Sequence, residues 1–282
     1  MPKIEIKCPL CKKNGVISIE ENLVKSSSRG LLSVHIANDI ICEHTFTAYI
    51  DKNLQIRDYF FVDFSVKLPE ISLIENLEQE SVLPKEVVDI DLIKLNIPAI
   101  TLAYILKSIF LKQKIVLIFN QEFLYHHIEK FFEYITQNSF EMDFSLINSN
   151  DYKNNKKSYK DAMVFESNKI IRNNKNLINP KKLDIEKKII ERFYSESELG
   201  YSYIVLKNEI FKAYELSLKI IQEIEKVNKI GNQPNILVIQ DELEKIYKVK
   251  IDKLYLNFLI DIIANYFEVK VPSLINGLFE FL

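Results

Sequence analysis

Glycine is scarce and tryptophan is absent: only five glycines occur, at positions 15, 30, 200, 231 and 277. Phosphate-cradling loops and dinucleotide-binding turns need several glycines within one strand-to-helix junction, so close backbone approach to a nucleotide is not expected. The turn after the apolar run ending at Phe119, Asn120-Gln121-Glu122, has no glycine at all. Cysteine is also sparse. Three thiols in 282 residues cannot form a disulfide framework. The opening residues Met1-Pro2-Lys3-Ile4-Glu5 carry no apolar run of the secretory kind. A reducing, cytoplasmic setting is the expectation. Uninterrupted apolar runs are missing too, since the longest, Leu92 to Leu111, contains Lys94, Asn96, Pro98 and Lys107. It predicts a buried core helix rather than a transmembrane segment.

What is present begins with hydrophobic content of 48%, enough for a substantial core. The three cysteines are not scattered. Cys8-Pro9-Leu10-Cys11 is a C-x2-C knuckle, a turn that presents two thiolates with the bite of a tetrahedral zinc site. Cys42-Glu43-His44 forms a second, less regular knuckle, in which alternation along a strand end puts both donors on one side. Thirty residues separate Cys11 from Cys42, enough for the strands of a small ribbon. The competing reading is that these cysteines are simply buried apolar residues. Without His44 the set would resemble an open, catalytic zinc site, but no general base is evident nearby. Cys8, Cys11, Cys42 and His44 are therefore expected to hold structural zinc.

The stretch from Ile4 through Cys11, joined by Ile41-Cys42-Glu43-His44-Thr45-Phe46 and a hairpin reaching Arg57, resembles a zinc ribbon. It is also similar to uncharacterised archaeal proteins that carry such a ribbon ahead of an alpha/beta body. The resemblance implies structural zinc, with the C-x-H spacing as its departure from the pattern. A separate resemblance rests on Leu102–Phe119 and Asp161–Phe165, which share the helix–strand organisation of DENN-type regulators of small GTPases. It carries no catalytic motif and implies an interaction role.

Formal net charge is only −2, but it is unevenly spread. Residues 67–91 hold two basic and seven acidic side chains, whereas 148–190 hold eleven basic and five acidic. The first 66 residues are balanced at eight of each, which argues against the head itself as a nucleic-acid surface. The basic region could meet nucleic acid, anionic lipid or the acidic connector. The Asn- and Lys-rich pieces within it read first as solvated loop.

The expected architecture is α+β: a zinc-ribbon-like β head over 1–66, an acidic connector over 67–90, and an alpha/beta body over 91–282 whose C-terminal portion is helical. Strands are predicted around 16–20, 31–36, 45–50 and 55–64 in the head. The body is expected to place a helix at 91–111, a strand buried on both faces at 114–119, and a helix from Glu122 to Thr136 capped by Asn120. Strands follow at 141–147, 161–166 and 169–172, the last two as a hairpin around Ser167-Asn168. Helices are predicted at 181–196, 202–229, 236–248, 252–267 and 272–281, the last started by Pro272.

Other constellations are weaker. Glu122, His126 and Glu129 share one side of a predicted helix, and a solvated face explains them. Asp161, Glu166 and Lys169 superficially resemble a metal-dependent nuclease, in which carboxylates bind magnesium and lysine positions water. Alternation along a single strand would put Glu166 and Lys169 on opposite faces, so a structural hairpin is preferred. Leu254, Phe258, Ile262, Tyr266 and Phe267, then Leu274, Leu278, Phe279, Phe281 and Leu282, recur at helical spacing that suits core packing or a homodimer surface. No nucleophile–base pair emerges, and the sequence leans towards a non-enzymatic binding or adaptor protein with a protein partner. The runner-up is a nucleic-acid-associated protein using 148–190, with Tyr152 or Tyr159 stacking on bases.

Overall fold

In the computed structural model the structure describes residues 2–20, 31–61, 67–71, 90–196, 199–229 and 236–271, the side chains of 199–201 apart. The architecture is α+β: antiparallel strands at the N-terminus, a mixed sheet in the middle and helices at the C-terminus. Two short antiparallel sheets form the head. Strand β1 (Lys3–Lys7) pairs with β2 (Asn14–Ser18), and β3 (Leu31–Ile36), β4 (Phe46–Asp51) and β5 (Ile56–Phe60) form a three-stranded sheet centred on β4. The strand pattern missed β1, although Lys-Ile-Glu-Ile-Lys alternates and buries Ile4 and Ile6 as a half-covered strand should.

All six residues of β4 are buried because both faces of its sheet are covered. Phe46, Ala48 and Ile50 face a small core with Ile4, Ile6 and Cys8. Tyr49, with Leu31 and Phe60 from the flanking strands, belongs instead to the large core of the body. The period of two thus divides one strand between two cores.

The body opens with α1 (Ile90–Asn96) and α2 (Ala99–Phe110). The single helix predicted over 91–111 is therefore broken. Pro98 lacks an N–H and disfavours helical geometry in the residue before it, and the two helices meet at 103°. Among the described residues no single helix is long and apolar enough to cross a membrane, and this bent pair is largely buried in the core. Pro98 offers α2 no side-chain cap. The carboxylate of Asp58 in the head takes over, accepting from Ala99 N at 3.0 Å. Beside it, Tyr194 Oη donates to Ile97 O at 2.6 Å, and its ring lies 4.9 Å from that of Tyr49.

Strand β6 (Ile115–Ile118) runs parallel to both neighbours, β7 (Phe144–Ile147) and β8 (Met163–Glu166), and β9 (Lys169–Arg172) closes the order β7-β6-β8-β9 antiparallel to β8. Helix α3 (Tyr125–Thr136) connects β6 to β7, and α4 (Ser149–Asn155) connects β7 to β8. Every residue of β6 is buried, as its continuous apolar run predicts. Asn120 does not cap α3: a short 3₁₀ turn, Glu122–Leu124, precedes that helix, and Asn120 Oδ1 accepts from Ser149 N instead. Side-chain caps occur at Asn148 and Asp252.

Helices α5 (Asp184–Ser195), α6 (Leu199–Lys229), α7 (Ile236–Tyr247) and α8 (Lys253–Asn265) complete the body. Ion pairs centred on buried lysines knit them together. Lys107 of α2 lies 3.2 Å from Glu186 of α5 and 3.3 Å from Asp261 of α8. Lys212 meets Glu209 at 2.5 Å and donates to Pro69 O at 2.8 Å, fastening residues 67–71 to α6. The predicted helix at 272–281, the loop around Ser26–Gly30 and most of the acidic connector fall outside the described residues.

Candidate metal centre

The first knuckle is the turn between β1 and β2. Cys8 N donates to Lys13 O at 2.9 Å, and Lys12 N donates to Cys8 O at 3.0 Å, so the turn that carries Cys8 and Cys11 closes on itself. Lys12 sits at φ 65°, a left-handed conformation that glycine would adopt without cost. The second knuckle lies in the loop from β3 to β4, where Asp39, at φ 69°, donates its N–H to Cys42 O at 2.8 Å.

Gly15 lets the two loops meet. A Cβ at that position would stand 2.6 Å from Cγ1 of Ile41, so only glycine admits the residue preceding Cys42 against β2. Lys7 N also donates to Tyr59 Oη at 2.9 Å, tying the two-stranded sheet to the three-stranded one. Neither contact has a local sequence signature, because each joins segments far apart in the chain.

Cys8, Cys11, Cys42 and His44 come together, one donor atom from each lying within 4.8 Å of every other. In a tetrahedron with metal–sulfur distances of about 2.3 Å the sulfurs stand ~3.8 Å apart, so a small contraction brings all four into coordination range. Cys42 Sγ is already 3.6 Å from Nδ1 of His44, the ring nitrogen turned towards the cluster. Cys8 is fully buried, Cys42 and His44 are half-buried, and Cys11 is exposed. Three thiols and an imidazole suit a thiophilic divalent ion.

Burial opposes ionisation of Cys8, yet hydrogen bonds from the Cys11 and Leu10 backbone and from the Cys42 and Cys11 thiols hold it below the ordinary thiol value. Cys42 is pushed up to about 11, by burial first and then by its Cys8 and Cys11 neighbours, against the His44 backbone donor. A bound cation would reverse that mutual opposition, since each thiolate ligates as an anion.

Among the described residues this is the only group of three or more such donors close enough to hold a metal ion. Glu122, His126 and Glu129 do not converge: His126 and Glu129 are exposed on α3, and Glu122 accepts from Asn148 Nδ2 at 3.0 Å. Glu166 and Lys169 are direct register partners across the hairpin, so they share a face, contrary to the single-strand alternation. Asp161 is exposed in the preceding turn and joins no metal-ligand cluster with them. Tyr152 is buried under α4 against Val116, Ile118 and Val164 and stacks on Tyr159, which removes its ring from base stacking. Phe258, Ile262 and Tyr266 are core residues, Leu254 is exposed, and residues 274–282 lie outside the described residues.

Compared with protein-family models, curated proteins and solved structures, the chain finds no match. The resemblance to archaeal ribbon-headed proteins and to DENN-type regulators gains no support from those comparisons.

Proposed function

We propose that Cys8, Cys11, Cys42 and His44 hold one structural zinc ion, and that the protein is a non-enzymatic binding or adaptor protein whose head captures another protein. The four-donor cluster carries the reading: with four protein ligands a tetrahedral ion keeps no open position for chemistry. Three thiols kept as ligands suit a reducing, cytoplasmic setting. Apolar side chains stand exposed around the knuckles, Leu10 at 47%, Ile40 at 57% and Val16 at 59%. Such residues on an ordered, metal-fixed loop would supply the apolar centre of a protein interface.

Elemental analysis should return one zinc per chain, lost in Cys8→Ser and reduced in His44→Ala. The interaction reading is tested by identifying partners retained by the metal-loaded protein but released by a Leu10→Ser/Ile40→Ser double variant that still holds its zinc. Partners retained equally by that variant would remove the knuckle surface from the reading.

A second reading, association with nucleic acid, is favoured by Lys153, Lys156, Lys157 and Lys160. All four are exposed along α4 and the 3₁₀ turn that follows, with no ion pair among the described residues. Binding of single-stranded RNA or DNA that weakens steeply with salt, and that Lys156→Glu with Lys157→Glu abolishes, would establish it.

A further inference from the structure

The second chemically equipped place in the molecule lies in the body, independent of the metal centre, at the carboxyl edge of the parallel strands. β6 leads through α3 to β7, and β7 returns through α4 to β8 on the other side of β6. Ile128 and Phe131 of α3 share the large core with Ile115 and Leu117, whereas Tyr152 of α4 packs with Val116 and Ile118 on the opposite face. The chain therefore leaves the ends of β6 and β7 towards opposite faces of the sheet. Open α/β sheets bind ligands at the carboxyl edge of their parallel strands, and here the loop after β6 faces the β8–β9 turn across that edge.

A cleft of about 260 Å³ occupies this edge, walled by Pro98 and Thr101 at the α1–α2 corner, by Asn120 and Gln121 after β6, and by Glu166 and Lys169 on either side of the β8–β9 turn. Its walls are held in place from several elements. Thr101 Oγ1 donates to Ser167 O, bracing a turn in which Ser167 adopts φ 49°. Asn120 Oδ1 accepts from Ser149 N at 3.0 Å, and Ser149 Oγ donates to Glu166 Oε1 at 3.1 Å.

The charges of the cleft define what fits it. Glu166 and Lys169 face each other in register, yet among the described residues Lys169 forms no ion pair and the Glu166 carboxylate engages only the Ser149 hydroxyl. A simple anion would be drawn to Lys169 but repelled by Glu166, and a simple cation would meet the reverse. A small molecule bearing both charges satisfies both, with the amide donors of Asn120 and Gln121 beside it. The volume falls just below the usual range for small-molecule pockets, which keeps the ligand compact. We propose that this cleft binds a small zwitterion of the free α-amino-acid class, its ammonium group at Glu166 and its carboxylate at Lys169.

Titration calorimetry of the full chain with each protein amino acid in turn tests this. At least one should bind, with affinity about tenfold or more weaker in Glu166→Gln and in Lys169→Met. The des-amino and decarboxylated analogues of that amino acid should lose affinity to a similar degree. Lys169 is exposed, and glutamine keeps the acceptor for Ser149, so both variants are expected to fold. Ligand-induced amide protection at 118–121 and 166–169 in the unaltered protein locates the site without any variant. The proposal is overturned if no amino acid gives heat, if both variants bind unchanged, if protection appears elsewhere, or if only magnesium binds.

Discussion

The head and the body of this protein solve the problem of holding an antiparallel sheet and a mixed sheet in different ways. Among the described residues the knuckle side of the head buries nine apolar side chains in its own core, whereas the large core numbers fifty, three of them lent by the head. A nine-residue core offers little burial against the conformational entropy of five strands, so a metal ligated by the two knuckles would supply much of what is missing. The body has apolar surface in excess and can bury charges within it. Burial works against protonation of Lys107, but Glu186 and Asp261 outweigh it and raise the ammonium above its ordinary value. Glu186, deeper still, is raised by burial in spite of Lys107. The comparison teaches that the head gathers its polar donors at its edge, whereas the body pairs its charges within its core.

Removing the proposed metal should produce the largest effect and confine it to one side. Chelation, or Cys8→Ser, is expected to withdraw stabilisation on the order of 10 kcal/mol from the head. Amide exchange should then collapse over 3–18 and 31–51 while 99–118 stays protected. Equal loss of protection in both regions would erase the distinction between them.

The converse break is Lys107→Met, which leaves Glu186 buried without its cation. A cost of about 3–5 kcal/mol is expected in denaturant unfolding of the body, with zinc content unchanged. A neutral result would mean that apolar packing alone holds α2 to α5 and α8.

The smallest effect falls at the seam. Asp58 of the head caps α2 of the body, so Asp58→Ala should cost about 1 kcal/mol. Burial lifts the Asp58 carboxyl above the ordinary aspartate range, against the N–H donors of Tyr59 and Ala99. The folded protein therefore holds this proton more tightly than the unfolded chain does. Its contribution is full below about pH 3.9 and is lost as pH rises through the elevated folded value. In Asp58→Asn that slope should vanish, so the variant gains on the unaltered protein as pH rises from about 4. Parallel stability curves for the two proteins would show that Asp58 does not titrate with folding.

The sequence by itself determined the features whose physical cause lies within a few residues. Cys8-x-x-Cys11 names a metal knuckle because the bite of two thiolates is set by one turn. The run Ile115-Val-Leu-Ile118 names a strand covered on both faces, and Ser167-Asn168 names a hairpin turn, from patterning and turn chemistry alone. Pro98 carried the signal for the helix break as well, although the surrounding apolar run concealed it.

Tertiary structure decided what depends on residues distant in the chain. Asp58 caps a helix that begins 41 positions later, Gly15 makes room for Ile41, and Lys107 finds its partners in α5 and α8. Tyr152 is counted among aromatic residues by its sequence and among core residues only by α4 lying on the sheet. The cleft between Thr101, Asn120 and Glu166 likewise exists only where the α1–α2 corner, the loop after β6 and the β8–β9 turn meet. A local pattern fixes how a segment folds and which face it hides, but the partner of a buried charge or an unsatisfied N–H is chosen by packing, which no window of sequence contains.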